Sequence, residues 1–272
     1  MKFTKMHGAG NDFIIIDGRG GAVSPEEAPA LAKRLCTRRT SIGADGLMLV
    51  TEPKNGGDFS MLFLNNDGTI GEMCGNGARC ITRWGLEHGL SRGDEAKIET
   101  TAGIVTGKRI TKNEVTVRLN TPTKIVTEMT VRDRLVSYVE LGNPAIPHCI
   151  VFSDDLNELT HDELFDLGRT MRHDSAFPKG ANVTFAVKMG EDRLKCVTFE
   201  RGVEDFTLAC GTGAGSTALA LTLRGVVSGR ETKLHFPGGL LKVSVDREED
   251  GYGLYLTGPT CVVAEGEFFE EI

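Results

Sequence analysis

Residues 209–223 read ACGTGAGSTALALTL, a cysteine and three glycines that lead into a segment apolar on nearly every side. A helix of this kind is buried on all its faces and does not lie on a protein surface. Glycines at its start leave backbone amides open to a ligand, because no Cβ covers them. The stretch predicts a central helix enclosed by its own sheet, with a thiol at the helix N-terminus.

A second copy of this pattern lies in the first half of the chain, where residues 73–80 read MCGNGARC. Cys74 and Cys210 are 136 residues apart in a chain of 272. The same shift aligns further positions: Ser24 with Thr160, Phe63 with Phe199, Gly89 with Gly225, and Gly103 with Gly239. Ser24 and Thr160 each begin a capping box, SPEE and THDE, which marks a helix start. Repeats in the same order indicate an internal duplication.

The duplication predicts an α/β (α+β) fold of two pseudo-symmetric domains, each a mixed β-sheet or barrel wrapped round a central helix. We expect the first domain to span residues 1–120, joined by the tail 260–272, and the second to span 121–259. The boundary is expected near residues 118–130, where a proline interrupts the pattern. Two similar halves facing one another would form a cleft, a usual place for a small-molecule site.

Composition narrows the class of protein. The chain is 40% hydrophobic and 25% charged, which is ordinary for a globular protein. Its net charge of −7 argues against binding to nucleic acid or to an anionic membrane surface. No stretch approaches ~18 consecutive apolar residues, and there is no export signal, so we expect a cytoplasmic protein. Its seven scattered cysteines, with no CxxC pair, indicate reduced thiols and no metal site.

The two cysteine turns suggest a particular chemistry. The N-terminus of a helix carries unpaired amides and partial positive charge, so it binds a carboxylate and stabilises a thiolate. Two thiols, one from each half, would flank the carbon next to a bound carboxylate. One would remove a proton from one face while the other returns a proton to the opposite face. Neither turn fits a phosphate-binding P-loop or a dinucleotide fingerprint. The alternative to this acid–base chemistry is that both cysteines are buried and have a purely structural role.

Five motifs in order closely resemble diaminopimelate epimerase: HGAGNDF (7–13), NNDGTIGEMCGNGARC (65–80), GNP (142–144), ANV (181–183) and FERGVEDFTLACGTGAG (199–215). They span nearly the whole chain. The resemblance implies two α/β domains with the active site between them. It also implies interconversion of LL- and meso-diaminopimelate without pyridoxal phosphate or any other cofactor, in lysine and peptidoglycan-precursor synthesis. The partners expected are a small amino-acid substrate, no nucleic acid, no membrane, and a possible second copy of the chain in a homodimer.

The resemblance also implies roles for individual residues. Cys74 and Cys210 would be the acid–base thiols. The donors to the reacting carboxylate would be the backbone amides of Gly75, Asn76, Gly211 and Thr212, with Asn11 helping to bind the same end. The distal end of the substrate would be held by Asn65, Asn143, Asn182, Glu200 and Arg201. A guanidinium such as that of Arg201 suits a carboxylate because it donates two parallel hydrogen bonds.

Two positions depart from the family pattern. The histidine that usually follows GNP is displaced by Ala145-Ile146-Pro147. Either the loop is longer and His148 takes the supporting role, as we expect, or that role is lost. Phe206 stands where a polar residue is commoner, and it could alter the surroundings of Cys210.

Three other functions remain open at this point. One is a cofactor-independent racemase of proline, hydroxyproline or histidine on the same fold, although the distal set favours a two-ended substrate. Another is a non-catalytic anion-binding protein that uses the same helix termini. The last is an isomerase or lyase that shares the fold but not the thiols, and the presence of both cysteines argues against it.

Overall fold

The fold is described here from a computed structural model, which covers residues 1–71 and 74–269. By chain contacts it divides into two compact units. The first comprises Met1–Val117 together with the segment from Gly258 onward, and the second comprises Arg118–Thr257.

Seventeen strands and four α-helices are found in this part of the chain. The strands are β1 (Lys2–Gly8), β2 (Asn11–Asp17), β3 (Gly46–Thr51), β4 (Phe59–Asn65), β5 (Glu95–Thr100), β6 (Gly103–Arg109), β7 (Glu114–Arg118), β8 (Pro122–Val131), β9 (Arg134–Leu141), β10 (Ile146–Phe152), β11 (Asn182–Gly190), β12 (Arg193–Phe199), β13 (Phe206–Thr207), β14 (Thr232–Phe236), β15 (Gly239–Glu248), β16 (Gly251–Pro259) and β17 (Cys261–Glu267). The helices are α1 (Ala28–Leu35), α2 (Gly75–Glu87), α3 (His161–Arg172) and α4 (Gly211–Leu223). Short 3-10 turns lie at Arg19–Gly21 and Asp154–Asn157.

The two units repeat one sheet topology. In the first, the strand order is β17-β1-β2-β3-β4-β5-β6-β7. In the second, it is β8-β9-β10-β11-β12-β14-β15-β16. In both, the successive pairs are antiparallel, antiparallel, parallel, antiparallel, parallel, antiparallel and antiparallel. The place that β8 takes in the second unit is filled in the first by β17, which comes from beyond the second unit in sequence.

Each sheet curls round one helix, as the sequence predicts. Helix α2 contacts β1, β2, β5 and β6, which belong to separate parts of its sheet. Helix α4 likewise contacts β8, β9, β10, β11 and β15. All residues of α4 from Gly211 to Leu221 are buried, which confirms the enclosed helix expected from its composition. The packing is close: a Cβ on Gly215 would lie 2.4 Å from Leu119 Cδ1.

The central strands β2 and β3 of the first unit are buried on both faces. Phe13 and Ile15 of β2 pack in the core around α2, whereas Ile14 and Ile16 pack in the core around α1. Successive side chains of a strand point to opposite faces, so a strand between two helices must be apolar throughout. This accounts for the unbroken apolar run in NDFIIID.

The two capping boxes have different outcomes. Thr160 caps α3 as predicted, with Glu163 N donating to Thr160 Oγ1 and Thr160 N donating to the Glu163 carboxylate. Ser24 and Glu27 make the same two hydrogen bonds. However, α1 begins only at Ala28, so the expectation of a helix start at Ser24 is wrong. Pro29 is tolerated only in the first turn of a helix, which fixes the start of α1 beside it.

None of the helices in the described ranges is both long and apolar enough to cross a membrane.

Candidate active site

The two predicted cysteines occupy equivalent backbone positions. Cys74 is the N-cap of α2, with φ −107° and ψ 116°, and Cys210 is the N-cap of α4, with φ −112° and ψ 110°. Each cysteine carbonyl accepts the first helical hydrogen bond, from Ala78 N at 2.8 Å and from Ala214 N at 2.9 Å. The next two residues of each helix lie in the first turn, where the N–H groups have no acceptor within the helix. Each thiol is therefore held beside amides that point out of a helix N-terminus.

Cys74 is half-buried and lies beside Asn11, at the start of β2. Its Sγ donates to Asn11 Oδ1 at 3.4 Å, and Asn76 Nδ2 donates to the same oxygen at 3.4 Å. Asn11 Nδ2 in turn donates to Asp45 Oδ2 at 2.7 Å, which fixes the orientation of the Asn11 amide. The structure thus brings together three of the residues predicted for the reacting end, and Asp45 orients one of them.

Cys210 is buried, with 6% of its surface exposed. Its Sγ accepts a hydrogen bond from Gly213 N at 3.3 Å and lies 3.6 Å from Thr212 Oγ1. Burial raises the pKa of the Cys210 thiol well above its ordinary value, and the charge of Glu200 raises it further. The hydrogen bonds from Thr212 and Gly213 lower the pKa but do not overcome burial. This thiol is therefore held in its protonated form at neutral pH.

Glu200, whose charge raises the pKa of Cys210, lies directly after β12. Thr207 Oγ1 donates to Glu200 Oε1 at 2.7 Å and so holds the carboxylate in place. Sequence reasoning missed Thr207; its position three residues before Cys210 is the available signal. The preceding residue, Phe206, points to the other face of β13. There its ring packs edge-on against Phe165, Phe185 and Phe199. These ring contacts do not involve Cys210, so the effect expected of Phe206 on the surroundings of that thiol is not seen in them.

Asn182, Arg201 and His148 form a neighbouring group in the second unit. Arg201 N donates to Asn182 Oδ1 at 2.9 Å, and Asn182 Nδ2 donates to Pro147 O at 3.2 Å. His148 pairs with Asn182 across parallel strands β10 and β11. His148 is fully buried, and neither ring nitrogen has a hydrogen-bond partner among the described residues. Burial, together with the nearby Arg201 charge, lowers the pKa of His148 from 6.5 to about 3.

Asn65 and Asn143 are the remaining predicted residues. Asn65 ends β4, and its Nδ2 donates to Thr69 Oγ1 at 2.9 Å. It nevertheless pairs with Gly46 at the start of β3, and Gly46 pairs with Phe13 near the start of β2. Asn65 and Asn11 therefore lie at the same end of these neighbouring strands. Asn143 is exposed in the turn between β9 and β10. Within the described ranges, no group of three or more His, Cys, Asp or Glu side chains is arranged to hold a metal ion.

The architecture is shared with solved structures of low sequence identity. A phenazine biosynthesis protein of the PhzF family from Bacillus anthracis has a TM-score of 0.75 at 15% identity, covering 99% of both chains. A probable proline racemase from Agrobacterium radiobacter K84 has a TM-score of 0.72 at 15% identity, covering 99% of this chain and 93% of the other. A hydroxyproline epimerase from Agrobacterium vitis has a TM-score of 0.70 at 17% identity, covering 98% and 90%. The chain shares its fold with these three proteins.

Comparison of the amino-acid sequence with known proteins identifies the family of this chain. The family model described as diaminopimelate epimerase matches residues 3–125 and 138–263. A diaminopimelate epimerase from Aquifex aeolicus is 36% identical, covering 100% of this chain and 99% of the relative. One from Methanocella arvoryzae is 37% identical, covering 98% and 96%. The chain belongs to the diaminopimelate epimerase family, a family of isomerases.

Proposed function

We propose that this protein interconverts LL- and meso-diaminopimelate by a two-base mechanism, with Cys74 and Cys210 acting on opposite faces of one α-carbon. The observation that carries the proposal is that a chain of this family has its two thiols at equivalent helix N-caps of two repeated units. Such a pair suits inversion at a carbon, because each thiol approaches with its own set of amide donors.

In the proposed reaction, one thiolate takes the α-proton, and the electron pair left on carbon moves into the carboxylate to give an enediolate. The other thiol then returns a proton to the opposite face, and the thiol and thiolate exchange roles. Amides of Gly75, Asn76, Gly211 and Thr212 stabilise the enediolate oxygens. Each preorganised donor is worth about 2.7–4 kcal/mol, and each positioned acid or base about 10²–10⁴-fold in rate. Four amides therefore contribute at least as much as the two thiols.

Binding of the rest of the substrate is assigned by the same proposal. Asn11 contacts the reacting end, in keeping with its hydrogen bond from Cys74. The distal amino-acid group is held by Asn65, Asn143, Asn182, Glu200 and Arg201. The Arg201 guanidinium donates to Lys179 O through Nη1, which leaves other donors of its fork for a carboxylate. His148 supports Asn182 from the adjacent strand as a neutral ring.

The decisive experiment is incubation of the protein with LL-diaminopimelate in D₂O, followed by NMR and mass spectrometry. We expect deuterium at one α-carbon of both isomers and formation of the meso compound. Absence of deuterium would reject the assignment. Parallel incubations with L-proline, trans-4-hydroxy-L-proline and L-histidine identify a racemase of a one-ended amino acid if one of these exchanges instead.

The proposal extends to assembly and location. We infer a homodimer, supported by β17, which among the described strands pairs only with β1 and carries the exposed Val263. An open strand edge is a ready surface for pairing with a second copy. Sedimentation equilibrium of the wild type and of Val263→Lys tests this, with a monomeric wild type as the contrary result. A cytoplasmic location agrees with seven free thiols and is tested by cell fractionation.

A further inference from the structure

Arg79 lies within the first turns of α2 and is fully buried. Its Nη1 donates to Gly75 O at 3.1 Å, and its Nη2 donates to Asn76 Oδ1 at 2.9 Å. Gly75 and Asn76 directly follow Cys74, and Asn76 shares the Asn11 oxygen with the thiol. The guanidinium therefore holds both residues that shape the turn.

No carboxylate of the described residues balances the charge of Arg79. In residues 1–71 and 74–269, no acidic side chain forms an ion pair with it, and its Nε has no hydrogen-bond partner. Burial lowers the pKa of Arg79 to about 10, so the group remains charged at pH 7. A buried, unpaired cation is costly, and an anion placed next to it lowers that cost. Cys74 and Cys80 are the groups whose negative charge would stabilise Arg79.

Cys80 does not supply that anion, because burial raises its pKa to about 12. Charged residues of the surrounding strands are also turned away. Gly8 and Phe13 lie on the α2 side of β1 and β2, whereas His7 and Asp12 pair with one another and alternate onto the opposite face. On β5, Ala96 and Ile98 face the same core, and Lys97 between them does not. Among the described groups, the thiolate of Cys74 is thus the counter-charge that the arrangement favours.

The structure also makes room for this guanidinium. Gly8 belongs to the HGAGNDF motif, and a Cβ at that position would lie 3.3 Å from Arg79 Nη2 and 2.9 Å from Asn76 O. Glycine at position 8 lets β1 approach the first turn of α2 closely enough to enclose Arg79.

We propose that Arg79 is a positioning residue for the reaction: it holds Gly75 and Asn76 against Asn11, and its buried charge makes Cys74, which donates to Asn11 Oδ1 as a thiol, the sulfur that ionises more readily and acts as the base. Cys210, buried beside Glu200, is then the thiol that donates the first proton. This inference rests on the proposed acid–base role of Cys74. An opposite charge nearby favours the ionised form of a group, which is the physical basis of the effect.

The test measures the ionisation of Cys74 directly. In a Cys210→Ser/Cys261→Ser background, the alkylation rate of Cys74 by iodoacetamide is followed against pH, and the site is mapped by mass spectrometry. The remaining cysteines, at positions 36, 80, 149 and 196, are buried with raised pKa values. We expect Arg79→Met to raise the apparent pKa of Cys74 by about one unit or more, which slows alkylation at pH 7 by about tenfold. We expect Arg79→Lys to restore part of the difference.

Arg83→Met is the matched control, because Arg83 is also a buried arginine of α2 but is paired with Glu87 and Thr260 O. It should leave the Cys74 titration unchanged. If Arg79→Met fails to fold, Gly8→Ala serves instead, since its methyl group would press on Asn76 O and on Arg79 Nη2 and disturb the hold of the guanidinium on this turn, which should also raise the pKa of Cys74. An unchanged Cys74 pKa in a folded Arg79 or Gly8 variant, or an equal shift in Arg83→Met, overturns the proposal. The alkylation needs no substrate, so its outcome is separate from that of the deuterium experiment.

Discussion

The turn at Cys74 and the turn at Cys210 differ by only a few degrees in backbone angles, yet their sulfurs lie in opposite electrostatic surroundings. The first is half-buried in a turn held by Arg79, which forms no ion pair with another described residue. The second is buried, and the negative charge of Glu200 raises its pKa. The repeat thus preserved the backbone that presents a thiol to a ligand while the neighbouring side chains diverged. In the proposed mechanism, two identical thiols act as a base and an acid because their neighbours carry opposite charges.

The largest effect is expected from removing either sulfur. Cys74→Ser and Cys210→Ser should each lower the rate of diaminopimelate epimerisation by about 10³-fold or more, because each direction of the reaction needs both groups. The rate is measured by appearance of the meso isomer. Cys261→Ser, at an exposed thiol on β17, is the control and should retain full activity. Substantial activity in either single variant would show that its thiol does not transfer a proton.

The next effect concerns a position where the two units differ in polarity. Phe13 pairs with the first residue of β3, and His148 pairs with the first residue of β11, so they occupy equivalent sites. The pKa of His148 in the folded protein is about 3, below its ordinary 6.5, so the unfolded chain binds a proton first as pH falls. Between pH 6.5 and about 3, stability therefore decreases with decreasing pH, by at most about 1.4 kcal/mol per unit from this group.

His148→Phe should remove that part of the pH dependence. The measurement is urea unfolding of wild type and variant at pH 7, 6, 5 and 4, with the slope of unfolding free energy against pH as the readout. The larger phenylalanine ring changes the packing energy equally at every pH, so it does not alter the slope of unfolding free energy against pH. Equal slopes in the two proteins would mean that His148 is not a buried neutral imidazole.

A third prediction compares two glycines of the second unit. Gly215→Ala should lower the free energy of unfolding by about 1–3 kcal/mol, because the added methyl group meets Leu119 in a closely packed core. Gly190→Ala is the control, since no atom lies within 4 Å of its Cβ position. Chemical denaturation at neutral pH measures both. A neutral Gly215→Ala would show that α4 is not packed tightly against this part of the sheet.

The smallest effect is expected from Glu200→Gln. Removing the carboxylate charge should lower the pKa of Cys210 toward its ordinary value, while burial still holds it high. We expect the pKa of Cys210 to fall by about one unit or less. Alkylation of Cys210 at pH 8, in a Cys74→Ser/Cys261→Ser background, should therefore become several-fold faster. Asp205→Asn, next to the same turn, is the control for a general change of charge. A slower or unchanged rate in Glu200→Gln would contradict the influence of Glu200 on this thiol.

Much of this arrangement could be predicted from sequence because it rests on local patterns. Glycines after a cysteine indicate an open helix N-terminus, and the apolar composition of α4 indicates burial. The burial of α2 was harder to predict, because Arg79 and Arg83 are residues usually found on surfaces. Their buried hydrogen bonds come from tertiary packing, as does the hydrogen bond of Thr207 to Glu200. The direction of Phe206 depended on strand pairing that a two-residue strand does not reveal.

The placement of β17 has a consequence for how the protein is made. Its partner β1 leaves the ribosome before the second unit, whereas β17 emerges only after every residue of that unit. The second unit is continuous, so its sheet needs no strand from later in the chain. The first must wait with one edge of β1 unpaired, so a nascent chain exposes that edge until β17 has left the ribosome.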